Sequence, residues 1–203
     1  MAPPERTPAR DAALEAALAH IAFDGWTRAA LVRGLVEHGQ DPDEADLLFP
    51  GGAADMIAAF CDLADRRMAA ALAGPEYAGL RSSARVRAAI LWRLEQAAPH
   101  REAVRRTLAL PGRARLLAGC TARTVQAIWA AAGDRSADFS WYSKRAILAG
   151  VYAATLLFWL SPAGAEPDAV AAFLDRRLAG VRRLGTLRQR APRIDRPGAP
   201  VPQ

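Results

Sequence analysis

Apolar side chains recur every three or four residues along almost the whole chain, and this spacing is the strongest constraint on its fold. A period of 3.6 residues places such side chains on one face of a helix, whereas the sustained alternation of a half-buried strand does not occur in the sequence. Glycine and proline break the period at intervals. The pattern predicts an all-α chain of about nine helices, with approximate spans 10–23, 28–38, 41–49, 53–73, 83–97, 99–110, 113–132, 141–160 and 168–184.

The order of these segments predicts how the helices are organised. Three short helices are joined by tight turns, and Pro50-Gly51-Gly52 separates them from a long helix. A helix-turn-helix module that leads into a helical ligand or dimer domain has this layout, and the tetracycline-repressor-like fold is built in this way. The predicted units are a disordered N-terminus at 1–9, a helix-turn-helix-like module at 10–52, a helical ligand-binding and dimerisation domain at 53–185, and an Arg/Pro-rich disordered tail at 186–203.

Charge is segregated along the chain, and the third predicted helix has the wrong sign for DNA. Residues 1–74 carry a net charge of −6, whereas residues 81–145 carry +9. The helix at about 41–49 would be the reading helix of a repressor, yet binding to phosphates depends on cationic side chains. Acids in a first helical turn also suit the helix dipole, but the surface stays anionic, and we predict no nucleic-acid partner. This helix contains no Arg or Lys and four acids, Asp41, Asp43, Glu44 and Asp46.

The titratable residues form none of the familiar catalytic or metal-binding patterns. His20, His38 and His100 are far apart, and no metal-ligand spacing or phosphate-binding glycine loop occurs. Cys61 and Cys120 lack the spacing of a redox pair, so we interpret them as buried small side chains in a reducing compartment. We therefore predict a binding protein rather than an enzyme, without a catalytic residue, a metal or a cofactor.

Three segments resemble one protein family. They are Phe23-Asp24-Gly25-Trp26-Thr27, Leu48-Phe49-Pro50-Gly51-Gly52 and Gly133-Asp134-Arg135-Ser136-Ala137-Asp138-Phe139-Ser140-Trp141-Tyr142. The third combines rare residues at fixed spacing and leads into the most apolar predicted helix. On these segments the chain resembles, over about residues 10–185, the lipid-binding accessory family of ubiquinone biosynthesis, coenzyme Q biosynthesis protein nine.

The resemblance implies a tetracycline-repressor-like fold that no longer binds DNA, homodimers, and an apolar pocket for an isoprenoid lipid or quinone intermediate. The same positions are explained equally well by ordinary core packing, so both interpretations stay open. The candidate lining residues are Leu117, Ile128, Leu148, Val151, Tyr152, Leu156 and Phe158.

The resemblance also implies a protein partner, the di-iron demethoxyubiquinone hydroxylase, which docks around the Trp-Tyr motif. The candidates in this chain are Asp138, Trp141 and Tyr142. Adjacent residues of a helix point about 100° apart, so Trp141 and Tyr142 cannot both face one core wall, and an exposed aromatic is a typical binding anchor. The alternative is that Tyr142 packs at the start of its helix with its hydroxyl bonded nearby.

Attachment to a membrane is where the chain departs from this family, whose better-known members add an amphipathic helix after the last core helix. Pro192 and Pro197 do not permit such a helix in residues 186–203. The +9 segment is a substitute candidate for an anionic lipid surface, although a solvated Arg face over a buried stripe explains it equally well. The candidate membrane-facing residues are Arg105, Arg106, Leu108, Leu110 and Arg113.

The predicted location is the bacterial cytoplasm, peripheral to the inner membrane. Arg supplies nearly all of the positive charge, Lys144 being the single lysine, which is typical of a GC-rich bacterial genome. The N-terminus has no apolar signal-peptide region, and the apolar run 146–160 is shorter than a bilayer span.

The sequence as a whole predicts a non-enzymatic protein that presents an isoprenoid quinone intermediate to the hydroxylase. The layout of the helices favours a second hypothesis, a tetracycline-repressor-family transcriptional regulator with an apolar effector. A third, an unrecognised enzyme, would depend on one of the scattered histidines.

Overall fold

The computed structural model describes residues 4–133, 140–164 and 166–190, with the backbone alone at residues 140, 141 and 182–190. Within these ranges the chain forms α-helices and two short 3-10 helices and contains no strand, which confirms the all-α prediction. The α-helices are α1 (Pro8–Asp24), α2 (Arg28–Glu37), α3 (Glu44–Leu48), α4 (Gly52–Ala71), α5 (Pro75–Ala78), α6 (Ser82–Gln96), α7 (Arg101–Ala109), α8 (Ala114–Ala131), α9 (Ser140–Leu160) and α10 (Pro167–Arg190).

Helix α1 begins earlier than the sequence pattern predicts. The Thr7 hydroxyl accepts a hydrogen bond from the Arg10 amide at 3.2 Å, and Pro8 occupies the first turn, where its missing N–H costs nothing. Arg6 makes two hydrogen bonds to Asp62 on α4, at 2.9 and 2.7 Å. A cap and an ion pair therefore involve Thr7 and Arg6, and the disorder expected over residues 1–9 stays a prediction.

The first three helices form a compact unit with a very short third helix. Helices α1 and α2 approach so closely at Gly34 that a Cβ there would lie 2.6 Å from the Ala16 carbonyl carbon. Helix α3 begins at Glu44 rather than near residue 41, because the Asp41 carboxylate accepts from the Asp43 amide at 2.9 Å and makes a turn there. The predicted reading helix is thus reduced to five residues.

Two hydrophobic cores lie along α4. The N-terminal core joins α1, α2 and the first half of α4 and includes Trp26, Phe49 and Ile57. The C-terminal core joins the end of α4 to α6, α8, α9 and α10 and includes Met68. Phe60 packs against both cores. Helix α4 therefore belongs to both, and the proposed division between residues 52 and 53 stays a prediction.

The last two helices are held at their connection by α7. Arg101 donates to the carbonyls of Trp159, Ser161 and Gly164, at and just after the end of α9. Helix α10 extends to Arg190, whereas the sequence analysis ended it near 184. Residues 186–190 contain no proline, and Arg in a last turn suits the helix dipole, so the helix runs into the predicted tail.

Candidate apolar ligand site

A cavity of about 400 Å³ lies among α6, α8, α9 and α10. Apolar side chains from all four helices form most of its walls, and charged side chains lie at one side. We call it the α9 cavity. It is lined by Ser83, Ala84, Val86, Arg87, Trp129, Lys144, Ile147, Leu148, Val151, Asp175, Leu178 and Val181.

The apolar character of the α9 cavity follows from the composition of α9 and the placement of its neighbours. Helix α9 carries no charged residue between Arg145 and its end at Leu160, so the wall it presents is uncharged over most of its length. Leu148 and Val151 are buried, whereas Ile147 is 47% exposed and therefore lies at the opening. A ligand that enters the cavity would replace water on these side chains by contact with its own apolar atoms.

One edge of the α9 cavity is closed by an ion pair between α6 and α10. Arg87 Nε lies 2.6 Å from Asp175 Oδ1, and its terminal nitrogen lies 3.0 Å from Oδ2. The hydrogen bond to Asp175 raises the pKa of Arg87. Both side chains are about half exposed, so the edge is polar while the interior is apolar. This combination suits an amphipathic ligand with an apolar body and a polar end.

The predicted lipid-lining residues divide between two cavities and the core. Leu148 and Val151 line the α9 cavity. A second cavity of about 70 Å³ lies between α4, α6, α7, α8 and α9. We call it the thiol cavity because Cys61 and Cys120 line it. Leu117, Tyr152 and Leu156 form another part of its wall.

The remaining two predicted lining residues reach neither cavity. Ile128 is fully buried in the C-terminal core. Phe158 stacks on Phe173 with ring centroids 4.2 Å apart. For these two positions packing explains the apolar side chain.

Sequence reasoning missed the contributions of α6 and α10 to the α9 cavity. Val86, Leu178 and Val181 fall on helical stripes that the sequence assigns to a core. Periodicity shows that a side chain faces inward, but it does not distinguish a packed core from the wall of a cavity.

The predicted partner-binding residues are only partly within the described chain. Asp138 lies outside the described residues, and of Trp141 only the backbone, in the first turn of α9, is described. Tyr142 is described and is 73% exposed. It belongs to the same first turns of α9 as Lys144 and Ile147 at the α9 cavity.

The predicted membrane-facing residues make contacts within the chain. Leu108 lines the thiol cavity, and Leu110 packs against the N-terminal core. Arg105 donates to the Leu160 carbonyl at 3.0 Å, and Arg106 donates to the Ala22 carbonyl at 2.9 Å.

A membrane-facing role for these five candidates therefore stays a prediction. Leu108 and Leu110 point inward, and Arg105 and Arg106 donate to carbonyls at the ends of α9 and α1. The fifth candidate, Arg113, is partly buried at the N-cap of α8.

A buried polar cluster lies next to the thiol cavity, and the sequence pattern did not reveal it. Arg93 on α6 donates to Asp65 on α4 at 2.8 Å, and Thr124 on α8 donates to the second oxygen of that carboxylate at 3.0 Å. Cys61 and Cys120, far apart in sequence, line the same cavity. Residues separated by about sixty positions give no local signal of contact.

In the described part of the chain, no group of three or more His, Cys, Asp or Glu side chains could hold a metal ion. None of the helices that the structure describes combines the length and the apolarity needed to cross a bilayer.

A tetracycline-repressor-like fold is confirmed by comparison with solved structures. The crystal structure of the TetR transcriptional regulator from Nitrosomonas europaea superimposes with a TM-score of 0.68. The match covers 87% of this chain and 99% of that chain at 23% sequence identity. At this identity the likeness shows the fold alone.

Comparisons of sequence identify one family. The family model described as COQ9 matches residues 114–185, which contain α8, α9 and most of α10. The ubiquinone biosynthesis protein coq9 of Schizosaccharomyces pombe is 30% identical over 179 residues, covering 86% of this chain and 70% of that protein. The COQ9 protein of Rattus norvegicus is 28% identical over 182 residues, covering 85% of this chain and 58% of that protein.

The relatives also correct the predicted location. The probable coq9 protein of Dictyostelium discoideum, 27% identical over 81% of this chain, is named as mitochondrial, as are the rat, fission yeast and human proteins. The prediction of a bacterial cytoplasmic protein is therefore wrong. The chain spans 57% and 58% of the lengths of the Dictyostelium and rat proteins. From its similarity along most of its length, this chain belongs to the COQ9 family of ubiquinone biosynthesis proteins.

Proposed function

We propose that this chain is a non-catalytic accessory protein of ubiquinone biosynthesis that binds an isoprenoid quinone intermediate in the α9 cavity and presents it to the demethoxyubiquinone hydroxylase. The observation that carries the proposal is an apolar cavity with a polar edge, built mainly from the segment that the COQ9 family model matches. Eight of the twelve lining residues lie between 114 and 185.

The size and chemistry of the α9 cavity support a lipid ligand. Its volume of about 400 Å³ falls within the range of small-molecule pockets. Burial of each CH₂ group of an isoprenoid chain contributes roughly 0.8 kcal/mol, so even a few isoprene units gain substantial binding energy against Val86, Val151 and Leu178. Ring oxygens would remain near the polar edge formed by Arg87 and Asp175.

The arrangement along α9 supports presentation to a partner. Tyr142 is exposed, and the lining residues of the same helix continue to Val151. Ile147 follows Tyr142 by five residues, about 7.5 Å along the helix axis, so a partner that covers the first two turns of α9 would also reach the opening of the cavity. A short path between docking surface and cavity limits the exposure of an apolar ligand to water.

The charge on α3 argues against the transcriptional-regulator alternative. Asp43, Glu44 and Asp46 are exposed. The nearby Arg28 is paired with Asp46 at 2.9 Å. The charge of Arg28 is thus balanced by Asp46, and a DNA duplex would meet the carboxylates of Asp43 and Glu44 where a repressor presents its reading helix. Contacts to phosphates contribute a large part of the affinity of DNA-binding proteins, and carboxylates repel phosphates.

The ligand is tested by extraction of the natively purified full chain with organic solvent, followed by mass spectrometry. We expect polyprenyl quinones in stoichiometric amounts. Addition of a short-chain ubiquinone analogue to the stripped protein should raise its melting temperature, because a ligand that binds only the folded state stabilises it. Absence of both effects would refute the proposal, and protection of a palindromic DNA site in footprinting would favour the regulator.

A pair of substitutions locates the ligand. Ile147→Asp places a charge at the opening of the α9 cavity and should weaken analogue binding at least tenfold, since burying an unpaired carboxylate is costly. The matched control is Val36→Asp on α2, which is 56% exposed and remote from the cavity. Equal loss in both variants would mean that the ligand binds elsewhere.

The docking surface is tested separately with Trp141→Lys and Tyr142→Lys combined. We expect this variant to retain its helical circular dichroism and its ligand but to lose the hydroxylase in a pull-down. Unfolding of the double variant would support the alternative that these aromatics pack within the chain, and the single Tyr142→Lys variant then decides whether the exposed ring contributes to docking.

A further inference from the structure

Two thiols from different helices share one cavity in this fold. Cys61 lies on α4 and Cys120 on α8, and both line the thiol cavity of about 70 Å³. The two thiols are near enough for each to shift the pKa of the other. Cys120 is 4% exposed and Cys61 is half-buried, and both are reduced. The tertiary structure thus brings two cysteines that are far apart in sequence to the wall of one cavity.

The surroundings of the two sulfurs are unequal. The Arg123 guanidinium donates to Cys120 Sγ at 3.3 Å, and its other two nitrogens are buried without a hydrogen-bond partner in the described structure. The Cys61 hydrogen bond, with help from Arg123, lowers the pKa of Cys120. The same hydrogen bond together with burial raises the pKa of Cys61. The Arg123 guanidinium therefore favours a thiolate on Cys120 over one on Cys61.

We propose that Cys120 and Cys61 form an oxidation-sensitive pair in which Cys120 reacts first with a hydroperoxide and Cys61 then closes a disulfide between α4 and α8. The Cys120 thiolate is the nucleophile because thiolates react and thiols do not. Cys61 lines the same cavity and supplies the second sulfur, which loses its proton as it attacks.

The two steps balance with hydrogen peroxide as oxidant. The Cys120 sulfur attacks one oxygen, the O–O bond breaks, and the departing hydroxide takes up a proton to become water, which leaves a sulfenic acid on Cys120. The Cys61 sulfur then attacks the Cys120 sulfur, the S–S bond forms and the S–O bond breaks. The hydroxyl leaves as water with the proton of Cys61. Two thiols are oxidised by two electrons, and one peroxide is reduced to two waters.

The size of the thiol cavity predicts which oxidants act. A water molecule needs roughly 10–15 Å³ of such space, so a cavity of about 70 Å³ has room for hydrogen peroxide but not for a tripeptide disulfide. Oxidised glutathione should therefore react far more slowly than peroxide. The crosslink would lie beside Tyr152 and Leu156, which line the same cavity, and would fasten α4 to the ligand-binding helices.

The experiment treats the reduced full-length chain with hydrogen peroxide and, in parallel, with oxidised glutathione. We expect peroxide to remove both thiols, to lower the intact mass by two hydrogens and to produce a Cys61–Cys120 peptide on mapping. The melting temperature should rise because the disulfide restricts the unfolded chain. Mixed glutathione adducts or disulfides between chains in place of the internal crosslink would overturn the proposal.

Three variants assign the roles of the groups. Cys61→Ser should leave a sulfenic acid on Cys120 that dimedone traps, whereas Cys120→Ser should leave Cys61 reduced under the same conditions. Arg123→Met, which removes a cation but keeps an extended side chain, should slow peroxide consumption at neutral pH by roughly three- to tenfold. Equal reactivity of the two single-cysteine variants would contradict the assignment.

A measurement on the unsubstituted chain covers the case in which a variant misfolds. Dimedone added at early times of oxidation should label Cys120 and not Cys61. Preferential labelling of Cys61 would overturn the proposal without recourse to any variant.

Discussion

Individual buried side chains join the first helices to α4 and α7 through polar contacts. Trp26, between α1 and α2, donates from its ring nitrogen to the Ala103 carbonyl on α7 at 3.1 Å. Arg10 lies 4.5 Å above the Phe49 ring and is hydrogen-bonded to Asp55 at 2.6 Å. Trp26 and Phe49, which belong to two of the segments that resemble the family, thus contribute contacts between helices. Their role in this chain is to position α4 and α7 rather than to contact a ligand.

Removal of the buried charge of Arg93 should lower the free energy of unfolding strongly. Arg93→Met leaves the Asp65 carboxylate buried without its cation, and breaking a buried pair in this way costs about 3–5 kcal/mol. Urea unfolding at neutral pH measures the loss. The double variant Arg93→Met with Asp65→Leu should recover much of it, because the orphaned charge is removed.

The control for Arg93 is an exposed pair. Asp46→Ala breaks the Arg28–Asp46 contact, in which both side chains are more than half exposed, and it should leave the unfolding midpoint unchanged. A loss for Arg93→Met no larger than that for Asp46→Ala would mean that the pair does not hold the helices together.

His100 should make stability depend on pH. Burial, with a smaller effect of Arg67, lowers the pKa of His100, so the folded state binds its proton less readily than the unfolded chain. The stabilising contribution is therefore complete above the unfolded pKa of about 6.5 and is lost as pH falls toward the folded value. Urea unfolding at a series of pH values should show a slope below about pH 6.5 that His100→Gln reduces. An unchanged slope would assign the pH dependence to other groups.

At the scale of elements, close helix packing depends on residues without a Cβ. Gly34 on α2 faces the α1 backbone at Ala16 and Ala17. Gly164, after α9, would place a Cβ 2.2 Å from the Phe158 carbonyl oxygen. In both places the approach of two backbone segments leaves no room for a methyl group. The sequence shows these glycines as helix or loop residues, and only the packing explains them.

Two Gly→Ala substitutions test this requirement. Gly34→Ala should destabilise the protein by about 1–3 kcal/mol, because α1 and α2 must move apart. Gly180→Ala on α10, where a Cβ would meet nothing within 4 Å, should instead stabilise it by about 0.5–1 kcal/mol through the helix preference of alanine. Thermal or urea unfolding compares them. Similar effects of both substitutions would show that α1 and α2 are less tightly packed than described.

At the scale of the whole molecule, α9 carries an apolar surface that the described chain does not cover. Ala146, Gly150 and Leu157 are exposed and recur four and seven residues apart on one stripe. Exposed apolar stripes of this kind are typical of interfaces. The homodimer that the family resemblance implies stays a prediction, and this stripe is the surface on which we expect it to form.

A charge on this stripe tests the dimer. Leu157→Glu should shift the chain to monomer in sedimentation velocity, because each copy would bury a carboxylate in an apolar contact. The matched control is Leu47→Glu on α3. Leu47 is 80% exposed, and its substitution should leave the oligomeric state unchanged. A dimer that persists in Leu157→Glu would place the interface elsewhere, and a monomeric unsubstituted chain would remove the expectation.

Local patterns in the sequence determined the helical class, most of the helix ends and the family. Helical periodicity, caps such as Thr27 and breaks such as Gly25 act over a few residues, so they can be read without knowledge of the fold. The acidic character of α3 was equally evident from the sequence, because the charge of a side chain type does not depend on packing. The sequence pattern did not predict the short helix α5, which is a single turn. It also did not predict the early start of α1, next to which Arg6 forms a long-range ion pair.

Contacts between distant segments were decided by the tertiary structure alone. The α9 cavity combines side chains from α6, α8, α9 and α10, and its apolar residues are indistinguishable in sequence from those of a packed core. The Arg93–Asp65 pair and the Cys61–Cys120 pair join residues that are separated by 28 and by 59 positions. Periodicity reports which way a side chain faces along its own helix, whereas a cavity or a buried ion pair depends on how helices cross. That information exists only once the helices are packed.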